Sequence, residues 1–169
     1  MKITIKIFFT LIFIFISFES LANRYWVAKD NGNTHYWDDP KNWSDRSGGK
    51  GGKSAPVSTT KVYFDGKGKG DVTFRSKGST RRLTIKDGYN GTINLNGKSL
   101  YVHQYISLGS GTTIEVPSGS KITTVKHNNT IKGTINAENG QLQFGKGLTI
   151  TSSGTLNAPS GTMSIRGNF

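Results

Sequence analysis

The chain has 169 residues, no cysteine, 22 glycines and four prolines, and its 22 Lys and Arg against 10 Asp and Glu give a formal net charge of +12. The absence of cysteine excludes disulfide staples and thiolate chemistry, so stability must come from packing and strand ladders. Abundant glycine with few charged residues suits many tight turns, and no stretch after residue 22 keeps a 3.6-residue apolar period, so a helical protein is excluded as well.

Residues 1–22 read as a secretory signal peptide: Lys2 and Lys6 form a basic start, Ile7 to Phe18 is an almost unbroken apolar run, and Ser20-Leu21-Ala22 is a small-x-small cleavage site. The apolar run is shorter than the roughly 18–20 residues of a membrane anchor. The chain is therefore expected to be exported to the periplasm, the cell surface or the medium, with no membrane span once the signal is cleaved. The mature chain stays strongly basic.

Residues 23–66 form an aromatic-rich leading module that holds all three tryptophans, Trp26, Trp37 and Trp43. Tyr25-Trp26-Val27 reads as a short strand, Asp30-Asn31-Gly32-Asn33 as a turn, 47–54 as a Gly/Lys loop, and Val62-Tyr63-Phe64-Asp65-Gly66 as a strand and turn. Large aromatic side chains at the start of a repeat array would cover an otherwise exposed apolar cross-section and strand edge.

From residue 67 to 169 short strands alternate with Gly and Asn turns. Ile93, Ile114, Ile135 and Leu156 recur every 21 residues, each preceded by Thr (92, 113, 134, 155) and followed by Asn94, Glu115, Asn136 and Asn157. Turns at Asn96-Gly97, Gly119, Gly140 and Gly161 close the units. A fixed period of this length built from strand-sized pieces predicts an all-β, right-handed parallel β-helix of about 21 residues per coil with an N-terminal cap. The repeated apolar residues point inward and stack about 4.8 Å apart, leaving Thr and Asn/Glu as outward columns. Other strands keep the period less strictly around Ile122, as loops of variable length would allow. The last residues, Met163–Ile165, Gly167-Asn168 and Phe169, offer no polar capping segment, which leads us to expect a fragment of a longer surface protein or a truncated reading frame.

The leading module resembles a segment near the start of exported bacterial surface proteins that carry parallel β-helix repeats of the autotransporter or filamentous-haemagglutinin type. The resemblance rests on Tyr25-Trp26-Val27, Trp37-Asp38-Asp39, Asn42-Trp43-Ser44, Ser47-Gly48-Gly49, Ala55-Pro56-Val57 and Val62–Gly66. It covers residues 24–66 and implies a structural or adhesive role; His35-Tyr36 lengthens a loop that is shorter in that pattern.

Catalytic constellations are sparse. His35, His103 and His127 are scattered without Ser-His-Asp or metal-ligand spacing, and Asp71, Asp87, Glu115 and Glu138 fall on different coils, unlike the clustered carboxylates of a polysaccharide lyase or hydrolase. Asp38-Asp39, near Asp30 and His35, reads as turn chemistry rather than a metal site. No catalytic, metal or cofactor residue is assigned. The Thr columns suggest an ice-binding alternative, weakened by Asn and Glu115 in the neighbouring column. The basic run supplies the candidate contacts with an anionic polymer: Lys50, Lys53, Lys67, Lys69, Arg75, Lys77, Arg81 and Arg82. The expected partner is an acidic glycan or a cell surface; nucleic acid is disfavoured because no aromatic residues interleave with these cations.

Overall fold

The computed structural model describes residues 22–167; residues 1–21, nearly all of the segment read from sequence as a signal peptide, lie outside the described residues, as do Asn168 and Phe169. The chain winds as an all-β solenoid of five coils, each contributing one strand to each of three parallel sheets. The coils are β3 (Lys61–Phe64), β4 (Val72–Thr73), β5 (Gly78–Thr80); β6 (Arg82–Ile85), β7 (Thr92–Asn94), β8 (Ser99–Val102); β9 (Ile106–Leu108), β10 (Thr113–Glu115), β11 (Lys121–Thr124); β12 (Asn129–Ile131), β13 (Thr134–Asn136), β14 (Gln141–Phe144); and β15 (Leu148–Ile150), β16 (Thr155–Asn157), β17 (Met163–Ile165).

Strands this short form because every coil sends alternate side chains inward. The triplets Thr92–Asn94 and Thr134–Asn136 each bury their central isoleucine and leave the flanking pair half-exposed. Turns then need backbone that few residues adopt: Asn96 and Gly97 both have positive φ, at 46° and 74°, the combination that favours an Asn-Gly pair. The Asn96 amide further donates to the carbonyl of Phe74 one coil earlier, at 3.1 Å.

The second sheet, β4-β7-β10-β13-β16, carries the period found in the sequence. Its register Val72↔Ile93↔Ile114↔Ile135↔Leu156 advances by 21 residues at every step. The first four are fully buried and Leu156 is partly buried against the core. The other two sheets do not keep time. The first sheet advances by 21, 23, 23 and 19 residues (Lys61↔Arg82, Leu83↔Ile106, Ser107↔Thr130, Asn129↔Leu148). The third advances by 22, 22, 20 and 21 (Gly78↔Leu100↔Ile122↔Leu142↔Met163). Ile122 thus sits in the same inward column as Leu100 and Leu142 despite its apparent shift in sequence.

At the N-terminal end, β1 (Asn23–Trp26) extends the first sheet by running parallel to β3, and β2 (Trp43–Ser44) closes it by pairing antiparallel with β1. A 3-10 turn, Pro40–Asn42, leads into β2; Asp39 caps it by accepting from the Lys41 amide at 2.9 Å. The three tryptophans are buried as one cluster, with Trp26 and Trp37 each meeting Trp43 edge-on at 5.0 Å, and Trp37 stacking on Phe74 of the first coil at 4.8 Å. Lys61–Phe64, read from sequence as part of the leading module, is the first strand of the solenoid proper. Its Val62 and Phe64 stack in register on Leu83 and Ile85, so the coils begin before residue 67.

Candidate functional site

Residue-by-residue winding separates neighbours in sequence and unites residues one coil apart. The basic run between residues 50 and 86 illustrates the first effect. Lys53 is paired with Asp45 at 2.9 Å on the cap. Arg75 is paired with Asp38 at 2.9 Å and lies over the Tyr36 ring, 4.0 Å from its centroid, pinning the cap loop to the first coil. Lys69 donates to the Gly88 carbonyl at 2.9 Å at the corner between first and second sheets. Lys50 and Lys67 are exposed on loops. Arg82 faces outward on the first sheet, donating to Gln104 Oε1 at 2.5 Å beside the Tyr105 ring. Lys77 and Arg81 flank the first strand of the third sheet, Arg81 at the corner beyond it. The eight candidates are therefore spread around the circumference and do not form one face.

The second effect joins one member of that run, Arg81, to cations far from it in sequence. At the corner between the third sheet and the next coil's first sheet, successive coils place Arg81, His103 with Gln104, Lys126 with His127, Lys146, and Arg166. Backbone bonds hold them in step: the Gln104 amide donates to the Arg81 carbonyl at 2.9 Å, Lys126 to Gln104 at 3.2 Å, and Arg166 to Phe144 at 2.7 Å. Lys126, Lys146 and Arg166 are exposed and Arg81 is half-exposed. The ion pairs among the described residues are Lys53–Asp45, Arg75–Asp38 and Lys132–Asp87, so none of these four cations is neutralised by a carboxylate. Lys126, Lys146 and Arg166 follow at coil spacing, within a Debye length of about 8 Å at physiological ionic strength, while Arg81 lies two coils before Lys126. Their fields add, and an anion bound along the corner relieves their mutual repulsion.

Grooves flank this corner on both sides. One of about 310 Å³ is lined by Ser58, Thr59, Arg81, His103, Gln104 and Lys126. A larger one of about 530 Å³ runs over the outer face of the third sheet, with Lys77, Tyr101, Lys121, Thr123, Gln143 and Arg166 among its lining residues and no carboxylate.

Four of the acidic residues are engaged elsewhere. Asp38 accepts from Arg75 and, at 3.3 Å, from the Ser76 hydroxyl. Asp71 accepts from the Thr92 amide at 2.6 Å. Asp87 accepts from the Ser110 amide at 2.9 Å; that bond, with the Ser110 hydroxyl and the nearby Lys132, holds its carboxyl below the usual carboxylate range. Asp45 is held low in the same direction, chiefly by its hydrogen bond to Lys53. The histidines have separate partners: His35 bonds the Lys29 carbonyl at 2.8 Å, His103 lies 3.4 Å from the Ser79 hydroxyl, and His127 meets the edge of Tyr105. Among the described residues no group of three His, Asp or Glu side chains could hold a metal ion. The Thr and Asn columns of the second sheet face outward in register, with Glu115 between Asn94 and Asn136.

Lys126, Lys146 and Arg166 escape a reading by sequence because the corner does not keep the 21-residue step. Counting the register steps of the third sheet, instead of a fixed period, aligns Lys126 with Lys146 and sets Arg166 one residue before the next position in that column.

In comparison with known proteins, no family model, no curated protein and no solved structure matches this chain. The likeness of residues 24–66 to exported β-helix proteins therefore rests on its motifs alone.

Proposed function

We propose that this protein is an exported, rod-like binding module that attaches to an acidic polymer, a glycan or an anionic cell surface, through the third corner of its solenoid. The observation that carries this reading is the group of cations Arg81, Lys126, Lys146 and Arg166, set along one corner of the rod and lacking carboxylate partners among the described residues. Engagement of Asp38, Asp45, Asp71 and Asp87 in turns and ion pairs favours binding over cleavage of such a polymer. Export is inferred from the N-terminal segment, and the rigid coils hold the corner straight.

Polyanion binding through such a group releases counterions, so affinity falls steeply with salt. Retention on a heparin-type matrix across a salt series tests this. The triple variant Lys126→Gln, Lys146→Gln, Arg166→Gln is expected to elute at much lower salt, with a shallower dependence of log affinity on log salt by about 2, given a slope of roughly 0.7–0.9 per neutralised charge for nucleic acids. Lys53→Gln and Arg75→Gln, whose cations are already paired, should elute near the parent. Binding that ignores salt, or a triple variant that behaves like the parent, overturns the proposal.

A further inference from the structure

The outer face of the third sheet differs from the rest of the basic flank. Its central outward column runs Ser79, Tyr101, Thr123, Gln143, Ser164, in register across five coils. Tyr101 is the one aromatic residue in that column, and its axial neighbours Ser79 and Thr123 are too small to cover both faces of its ring. The ring is half-buried and braced edge-on by His103, with centroids 4.6 Å apart. Lys121 pairs in register with Ser99, and Lys77 precedes Gly78, the partner of Leu100. Lys77 and Lys121 therefore border one side of the groove two coils apart, roughly 10 Å along the axis. Arg166 closes the opposite corner, where the groove opens onto the cationic group.

We infer that this groove of about 530 Å³ is a sugar-recognising subsite for an acidic oligosaccharide of the uronic-acid class, lying along the solenoid axis. The inference rests on the polyanion-binding reading above and names what that reading leaves general. An apolar ring face suits the C–H face of a pyranose. The Gln143 amide, both donor and acceptor, and the Thr123 hydroxyl suit ring hydroxyls. Lys77, Lys121 and Arg166 suit carboxylates, Arg166 with the option of a bidentate pair. The groove's single ring argues against a single-stranded nucleic acid. A single strand gains its binding from successive stacked bases, and this groove offers one aromatic platform.

The test is isothermal titration of the parent, Tyr101→Ala, Tyr101→Phe and Gln143→Ala with three probes: a hexuronate tetramer, inorganic polyphosphate and a single-stranded oligonucleotide. The parent is expected to prefer the uronate. Tyr101→Ala should weaken uronate binding by about tenfold, the size of one good contact, and leave polyphosphate binding unchanged. Tyr101→Phe should retain affinity, which separates loss of the platform from loss of fold. If polyphosphate binds and Tyr101→Ala weakens no probe, or weakens all three alike, the subsite is refuted while the cationic group stands. If no probe binds the parent, both readings fail.

Discussion

Trp26 and Tyr89 converge on one atom. The indole Nε1 of Trp26 donates to the carbonyl oxygen of Gly70 at 2.8 Å, and the phenol of Tyr89, from the second coil, donates to the same oxygen at 3.0 Å. Burial, with a smaller contribution from Asp71, pushes the Tyr89 phenol well above its ordinary range, so it stays a donor. Gly70 tolerates no side chain, since a Cβ there would lie 2.8 Å from the Lys29 carbonyl. Cap and coils are thus tied through a single doubly served acceptor.

That sharing predicts a coupling. Tyr89→Phe leaves Trp26 in place and should cost about 1 kcal/mol; Trp26→Phe should cost more because ring volume is lost as well. The double variant orphans a buried carbonyl and should lose roughly 1 kcal/mol beyond the sum. Urea unfolding of the four proteins gives the coupling energy, and strict additivity would mean the oxygen finds another donor.

Two threonines in one inward column should respond in opposite directions. Thr80 donates to the Thr60 carbonyl at 2.7 Å and lies 2.9 Å from that of Arg82, whereas the Thr124 hydroxyl is buried without a partner. Thr124→Val should stabilise by about 1 kcal/mol by removing an unsatisfied group of the same shape. Thr80→Val should destabilise by a similar amount. A destabilised Thr124→Val in thermal melts would show that its hydroxyl is satisfied in solution.

Position along the axis should grade the cost of core truncation. Ile114→Ala, at the centre of the second sheet and fully buried, should lose about 2–5 kcal/mol. Leu156→Ala, only partly buried in the last coil, should lose roughly half as much, because cost scales with buried volume. Equal losses in urea unfolding would contradict the burial gradient.

Acid stability should report Asp87. Its folded carboxyl titrates below the unfolded one, so its contribution is present above the unfolded value, near 3.9, and disappears as pH falls through the folded value. Asp87→Asn should therefore flatten the acid limb of a stability–pH curve below about pH 4 and leave the neutral plateau's slope unchanged. An unaltered acid limb would show that Ser110 and Lys132 do not hold this carboxylate in solution.

The scaffold was legible where one sheet repeats without error. Ile93, Ile114 and Ile135 announce the coil because no insertion falls between second-sheet strands without a compensating one elsewhere in the turn. The strands at Gly78–Thr80 and Asn129–Ile131 were not legible, since a glycine or a buried Asn129 fills the inward position an aliphatic residue would advertise. Asn129 is tolerated there because its side chain accepts from the Ile106 amide at 3.0 Å. The candidate site was the least legible part. A run of lysines in sequence looks like a patch, yet winding sends Lys53, Lys69, Arg75 and Arg82 to different sides, while Lys126, Lys146 and Arg166, about one coil apart, meet at one corner.

The unequal steps of the three sheets divide the labour of change. Because the second sheet advances by a constant count while its neighbours trade residues, a coil can lengthen or shorten its third corner by one or two positions and leave the rise of the rod untouched. Such a corner can be re-spelled coil by coil, exchanging a cation for an amide or a ring, without re-solving the fold. For an engineer this marks out a programmable edge beside a fixed ruler: side chains grafted there inherit a known axial separation, and errors in one coil do not propagate to the next.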